Sequence, residues 1–240
     1  TSIILDEPTA LQTTLGTTDY NGYDISCHGY SDGGINLTVT GSVPGYSYVW
    51  SNGAVTEDIS NLPIGLYNVS ILDANSCPIS TSIVLDEPTA LQTNILSTTN
   101  YNGYDISCSG YSDGGIDLTV TGSVPGYTYV WSNGAVTEDI SILTSAVYSV
   151  HIVDSNGCFI NTTVFLTEPT RLVSSYIVSD INGYNVCFNG TDGMIDLSIS
   201  GSVPSYICQW DNGAQTQDLY NLSAGSYVYT ITDQNGCITG

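Results

Sequence analysis

Cysteine is the side chain here whose type and spacing could do chemistry. Of the seven cysteines, six fall into three pairs, Cys27 and Cys77, Cys108 and Cys158, Cys187 and Cys237, each 50 positions apart. Thiols so spaced can bind a metal, act as nucleophiles or form disulfides. A structural metal site wants four ligands, yet each pair offers two thiols, and His28 and His151 stand at unrelated positions. A nucleophilic cysteine wants a base; His28 follows Cys27, but Ser109 follows Cys108. The spacing therefore predicts one disulfide within each pair, with reduced, buried thiols as the other reading. Closing such a 50-residue loop contributes about 2–4 kcal/mol in the chain-entropy view, and it places the chain in an oxidising compartment. Cys208 is left over. It stands on a strand where Tyr48 and Tyr129 stand elsewhere, which suits a small buried hydrophobe or, more sharply, an intermolecular bridge.

The carboxylates are the second candidate. Asp32, Asp113 and Asp192 precede glycine, and Asp73, Asp154 and Asp233 open turns. Such residues bond to their own backbone; as hard oxygen ligands on loops they could also take calcium and stiffen a stalk. No other cofactor is expected. No Ser/His/Asp spacing recurs, no phosphate-binding glycine loop occurs, and Asp6-Glu7 lies at a strand end before Pro8, so the chain does not read as an enzyme. With one Lys plus Arg, Arg171, against 23 Asp plus Glu, the net charge is −22. That excludes nucleic acid as a partner and repels anionic lipid. No apolar run of spanning length occurs, so direct membrane insertion is not expected. No basic or signal-like stretch follows Thr1, which predicts a processed product or an excerpt of something longer.

Internal repetition organises these residues. Leu5-Asp6-Glu7-Pro8-Thr9-Ala10-Leu11-Gln12 returns unchanged from Leu85 to Gln92, and altered from Leu166 to Leu172, at offsets of 80 and 81. A lone copy of about 80 residues is marginal without a staple. Within a copy, strict alternation marks half-buried strands: Ile35, Leu37 and Val39; Tyr46, Tyr48 and Trp50; Tyr67, Val69 and Ile71; then Cys77 to Leu85 as the returning strand. Asn-Gly and Asp-Gly turns separate them. Roughly seven short strands per copy predict an all-β chain of tandem immunoglobulin-like (PKD-like) β-sandwich repeats. Their cores hold Trp50, Trp131 and Trp210 with Tyr48, Tyr129, Tyr67, Tyr148 and Tyr227. Other tyrosines, Tyr20, Tyr23, Tyr101, Tyr104 and Tyr184, sit in loops before the first cysteine of each copy and could contact glycans or proteins.

This segmentation sets the boundaries: residues 1–8 as the closing strand of a preceding repeat, 9–88, 89–169 and 170–240 as the three repeats, the last lacking most of its closing strand. The expected partners are further copies of the repeat, end to end, in a longer parent chain or a strand-complemented filament.

The series Ile-Ser-Cys, Asp-Gly-Gly-Ile, Pro-Gly-Tyr-x-Tyr-Val-Trp-Ser-Asn-Gly and Asp-x-Asn-Gly-Cys, read from Cys27 to Cys77, Cys108 to Cys158 and, with departures at Asn185, Phe188, Met194 and Cys208, Cys187 to Cys237, resembles the SprB repeat of large bacterial surface adhesins. The resemblance implies an extracellular, cell-surface protein of adhesion or gliding motility without catalytic residues. It also implies that the sequons at Asn36, Asn68, Asn161, Asn189 and Asn221 are products of composition.

Overall fold

In the first repeat, β-branched and aromatic residues alternate with polar ones and the chain folds into six strands: β1 (Gln12–Thr17), β2 (Gly33–Thr40), β3 (Ser47–Trp50), β4 (Ile59–Leu62), β5 (Gly65–Leu72) and β6 (Pro78–Leu85). The computed structural model describes residues 2–240, apart from the side chain of Leu96. Two three-stranded sheets result, ordered β1-β2-β4 and β3-β5-β6, with antiparallel pairing throughout. The period of two sends Ile35, Leu37 and Val39 of β2 and Tyr67, Val69 and Ile71 of β5 to buried faces. One core draws on both sheets and takes in Trp50, Ile59, Leu62, Leu85 and the loop residue Ile25.

The second repeat repeats the plan with β7 (Gln92–Thr98), β8 (Gly114–Thr121), β9 (Thr128–Trp131), β10 (Ile140–Leu143), β11 (Val147–Val153) and β12 (Phe159–Phe165). The third has β13 (Val173–Val178), β14 (Gly193–Ser200), β15 (Ile207–Trp210), β16 (Leu219–Leu222), β17 (Tyr229–Thr232) and β18 (Ile238–Thr239). Each again forms two three-stranded sheets, so the chain is all-β with a repeated pair of small sheets. Each repeat has six strands where roughly seven were expected. The stretch between β1 and β2 stays a loop, ordered by a Tyr20↔Tyr23 bridge around Asn21 and Gly22. Both turn residues are left-handed, at φ 53° and 95°, as an Asn-Gly turn requires.

The tryptophans close the cores: Trp50, Trp131 and Trp210 are nearly inaccessible, and each indole N–H donates to a threonine carbonyl, on Thr56, Thr137 and Thr216, at 2.8–2.9 Å. Tyr67 and Tyr148 are buried, whereas Tyr48, Tyr129 and Tyr227 are half-buried. Burial and the neighbouring Glu57 push the Tyr48 hydroxyl up to about 12. Where Cys208 replaces that tyrosine, Gln217 replaces the glutamate; Cys208 lies in the third core, and burial followed by Asp218 pushes its thiol up.

Two compact units divide the chain: Thr1–Asn94 with Val120–Val130 and His151–Thr162, and Ile95–Thr119 with Trp131–Val150 and Thr163–Gly240. The division runs through the second repeat and not between repeats. Part of the second repeat belongs with the first, and the rest of it belongs with the whole of the third. Thr1, of the expected 1–8 closing strand, lies outside the described residues. Residues 2–8 form no strand, and Ile3, Ile4 and Leu5 are exposed.

Candidate functional site: the junction between successive repeats

Each unit contains one junction, where a loop of one repeat receives the turn that ends the penultimate strand of the next. In the first, the loop is residues 18–32. Thr18 Oγ1 donates to the Asp24 carbonyl at 2.6 Å. The Ser26 N–H donates to Asp32 Oδ1 at 3.1 Å, and its hydroxyl to Asp32 Oδ2. The end of β6 grips the same loop: the Asp86 carbonyl accepts from the Ile25 N–H at 3.1 Å, Asp24 and Asp86 exchange backbone-to-carboxylate bonds, and Glu87 accepts from the Gly29 N–H at 2.7 Å and meets His28 Nδ1 at 2.7 Å. In the second repeat Glu168 accepts from Gly110 N–H in the same way, and Asp105 is held by Thr167. The repeated Asp-Glu-Pro is thus a clasp for the cysteine loop.

The turn is built on one aspartate. Asp154 Oδ1 accepts from the Asn156 and Cys158 N–H groups at 2.9 and 2.8 Å, while Oδ2 accepts from Ser123 Oγ at 2.5 Å and Val124 N–H at 3.2 Å. Asp233 does the same for Asn235, Cys237 and Val203, and its Oδ2 also takes the Ser202 hydroxyl. This fixes an asparagine at the tip. The Asn156 amide donates to the carbonyls of Tyr20 and Ser26 at 3.1 and 3.0 Å, and its oxygen accepts from Asn21 at 2.5 Å. Asn235 donates to Tyr101 and Ser107 at 3.1 and 3.0 Å, and accepts from Asn102 at 2.5 Å.

Beside each asparagine the thiols are joined, but not as the spacing predicts. The disulfides are Cys27–Cys158, with Cα atoms 5.7 Å apart, and Cys108–Cys237, at 5.6 Å. Both run between repeats. The expected pairs Cys27 with Cys77, Cys108 with Cys158 and Cys187 with Cys237 do not form; Cys77 and Cys187 are exposed thiols and Cys208 a buried one. The reason is the length of β6. The Cys27 loop is tied through Ile25 to Asp86, just past the end of that strand, whereas Cys77 immediately precedes its start. Eight residues of strand hold the two ends roughly 25 Å apart, far beyond the reach of a disulfide.

Three thiols are accordingly expected in the unreduced, denatured protein by thiol titration. In the native protein Cys77 reacts first, Cys187 more slowly and Cys208 only on unfolding. Hydrogen bonding to Asp192 pushes the Cys187 thiol up, which lowers its thiolate fraction.

The acidic loop residues serve the same architecture. Asp73, Asp154 and Asp233 bind backbone within the turns; Asp32 and Asp113 hold Ser26 and Ser107, and Asp192 holds Cys187. Among the described residues no three His, Cys, Asp or Glu side chains gather around one point. The Ser42 hydroxyl first, then the N–H groups of Cys77, Val43 and Asn75, hold Asp73 at about 2 against an ordinary 3.8. Burial works against the charge of Asp154 and Asp233, but their hydrogen bonds, led by those from Ser123 and Ser202, outweigh it and keep both low. A carboxylate depressed in the folded state stabilises fully above its unfolded pKa, and that stability is lost as pH falls through the folded one. The melting temperature should therefore hold from about pH 7 to 5 and drop between about pH 4 and 2. Asp154→Asn should be less stable at neutral pH and lose less on acidification; a parallel fall would show the turns to be uninvolved.

The loop tyrosines differ in accessibility between the repeats. Tyr20, Tyr23, Tyr101 and Tyr104 are half-buried in loops that the next repeat covers, and Tyr184 alone of this set is widely exposed, at 75%. The sequence reading missed the capping asparagine. Its signal was that Asn75, Asn156 and Asn235 recur unchanged while their neighbours vary from Ala74 and Ser76 to Ser155 and Gly157.

A chain of small antiparallel sheets, repeated and stapled across its junctions, defines a tandem-repeat structural protein. It matches the SprB repeat family in all three copies, over residues 23–55, 101–136 and 185–215. It is a repetitive extracellular adhesin module, located at the cell surface. No curated protein matches the chain. Among solved structures it is similar to the C-terminal 282-residue fragment of intimin in complex with the translocated intimin receptor's intimin-binding domain, at 12% identity and TM-score 0.35, over 70% of this chain and 67% of that one. It is also similar to a tetra-tandem repeat in the extending region of a large adhesion protein, at 14% identity and TM-score 0.24, over 95% and 72%. No helix is long and apolar enough to cross a membrane among the described residues.

Proposed function

We propose that the chain is a load-bearing spacer and display segment of an extended fibre or stalk on a bacterial surface. Each repeat is an immunoglobulin-like sandwich with bounds 9–88, 89–169 and 170–240, the last lacking most of its closing strand, and the segment 1–8, whose residues 2–8 form no strand within this chain, serves as the closing strand of a preceding copy. The carrying observation is the overlap of the two disulfides. The shortest covalent path along the chain passes through Cys27–Cys158, back over the 50 positions to Cys108, and through Cys108–Cys237. Every other residue between Cys27 and Cys237 lies off that path. Force that unfolds the sheets can therefore extend the oxidised chain to only about a third of its reduced contour, which limits the stretch of a tether under shear.

Single-molecule pulling from the two ends tests this. The oxidised chain should stop at about a third of the length reached after reduction. Equal lengths in both states would remove the mechanical argument.

A further inference from the structure

Cys77 and Cys187 are exposed thiols, and each stands in a half-built copy of the junction. Around Cys77, Asp73 Oδ1 accepts from the N–H groups of Asn75 and Cys77 at 2.9 and 2.7 Å, the same turn that presents Asn156 and Asn235. Ser76 takes the left-handed conformation, φ 67°, that Gly157 and Gly236 take beside the joined cysteines. Around Cys187, the Ile181↔Tyr184 bridge matches Tyr20↔Tyr23 and Tyr101↔Tyr104, with Asn182 at φ 54° where Asn21 and Asn102 are at 53°. One half offers the amide cap and a thiol. The other offers backbone carbonyls and a thiol.

A cavity supplies the second observation. The third repeat has a hollow of about 500 Å³ lined by Tyr176, Val178, Gly193, Ile195, Leu222 and Tyr227. Gly193, Ile195 and Leu222 correspond to Gly33, Ile35 and Leu62 of the first repeat. There Leu85 Cδ1 stands 3.0 Å from where a Cβ on Gly33 would lie, and Leu166 stands 3.1 Å from the same point on Gly114. Leu85 and Leu166 are completely buried; Leu5, with the same Asp-Glu-Pro after it in the first copy, is 92% exposed. The distances along the chain agree as well. From closing leucine to turn cysteine there are 73 positions in the first junction and 71 in the second, and from Leu5 to Cys77 there are 72.

We propose that the third repeat receives a further copy of this chain, whose Leu5 segment enters the hollow as a closing strand and whose Cys77 turn lands on the 181–187 loop and forms a disulfide with Cys187. This rests on the end-to-end reading above and gives it a chemistry. In the uncovered loop Asp192 holds the N–H and thiol of Cys187, and Val186 leans on Gly193; in the covered first loop the matching aspartate holds Ser26 instead. The incoming Asp6-Glu7 supplies the acceptors that Asp86 and Glu87 supply there, which draws the loop over and frees Cys187.

The oxidant is a small-molecule disulfide such as oxidised glutathione. The Cys187 thiolate attacks it and expels one glutathione thiolate; the Cys77 thiolate of the second molecule then attacks the Cys187 sulfur and expels the other. Two protein thiols are oxidised, one glutathione disulfide becomes two glutathione thiols, and the two protons end on them.

Equimolar Cys77→Ser and Cys187→Ser variants, incubated separately and mixed in a glutathione redox buffer, test the proposal. Each alone should remain monomeric on non-reducing gels. The mixture should yield a heterodimer at least tenfold in excess of either homodimer, with a Cys77–Cys187 peptide in its endoproteinase Asp-N map, cut before Asp73, Asp86, Asp180 and Asp192, and the wild type should form a ladder. Adding Leu5→Asp to the Cys187→Ser partner should slow heterodimer formation at least tenfold. Homodimers appearing as fast as the heterodimer would overturn the disulfide assignment, and an unchanged rate with Leu5→Asp would overturn the strand insertion. Either failure leaves the pulling result of the 240-residue chain untouched, so the two readings fail separately.

Discussion

Replacing Cys27 and Cys158 together by serine is expected to cost about 3–5 kcal/mol in denaturant unfolding, towards the upper end for a single disulfide. The bond closes 131 positions of chain, and the restriction it places on the unfolded ensemble grows with the logarithm of that length. The native state loses little else, because both half-cystines are buried and serine is slightly smaller. Cys77→Ser is the diagnostic control. Its side chain is exposed and unjoined, so the substitution should stay within about 0.5 kcal/mol of the parent. Were the staple to lie within the repeat, Cys77→Ser and Cys27→Ser would cost the same, and replacing Cys27 and Cys158 together would remove two disulfides and cost about twice either single change. Urea midpoints of these variants, with the m-value monitored for a change in the surface exposed, separate the two pairings.

Trp50→Ala is expected to cost a comparable 3–5 kcal/mol. The indole is 2% exposed and stands in the single core that both sheets of the first repeat share, so its removal leaves a void that two small sheets cannot close. It also strands the Thr56 carbonyl, which accepts the indole N–H at 2.9 Å. Trp50→Phe should recover part of the loss through its ring but not the hydrogen bond, and should fall between the alanine variant and the parent. If Trp50→Ala unfolded at the parental urea concentration, the two sheets could not depend on a common core.

Much of the strand pattern was legible because alternation in a half-buried sheet is a local signal. Ile35, Leu37 and Val39, or Tyr67, Val69 and Ile71, announce a buried face without reference to anything distant. The first strand was not, for the same reason: among Gln12–Thr17 only Leu15 is a large apolar residue, and its pairing with Leu37 in β2 makes it a strand. Aspartate at positions 73, 154 and 233 read correctly as a turn former, but its consequence was not local. By fixing the backbone it aims an asparagine and a cysteine at the preceding repeat, and nothing in the turn's own residues says what they meet.

The linear order of residues was enough to establish the three copies, the β architecture, the acidic surface and the presence of one thiol at each end of a 50-residue interval. It could not say which thiol meets which, because in a periodic chain the spacing of 50 within a copy and that of about 130 across copies both recur, and recurrence alone does not choose between them. That choice fell to three-dimensional geometry: a rigid eight-residue strand keeps the two cysteines of one repeat at opposite ends, while its closing Asp-Glu clasp and the neighbour's asparagine bring together cysteines that belong to different repeats.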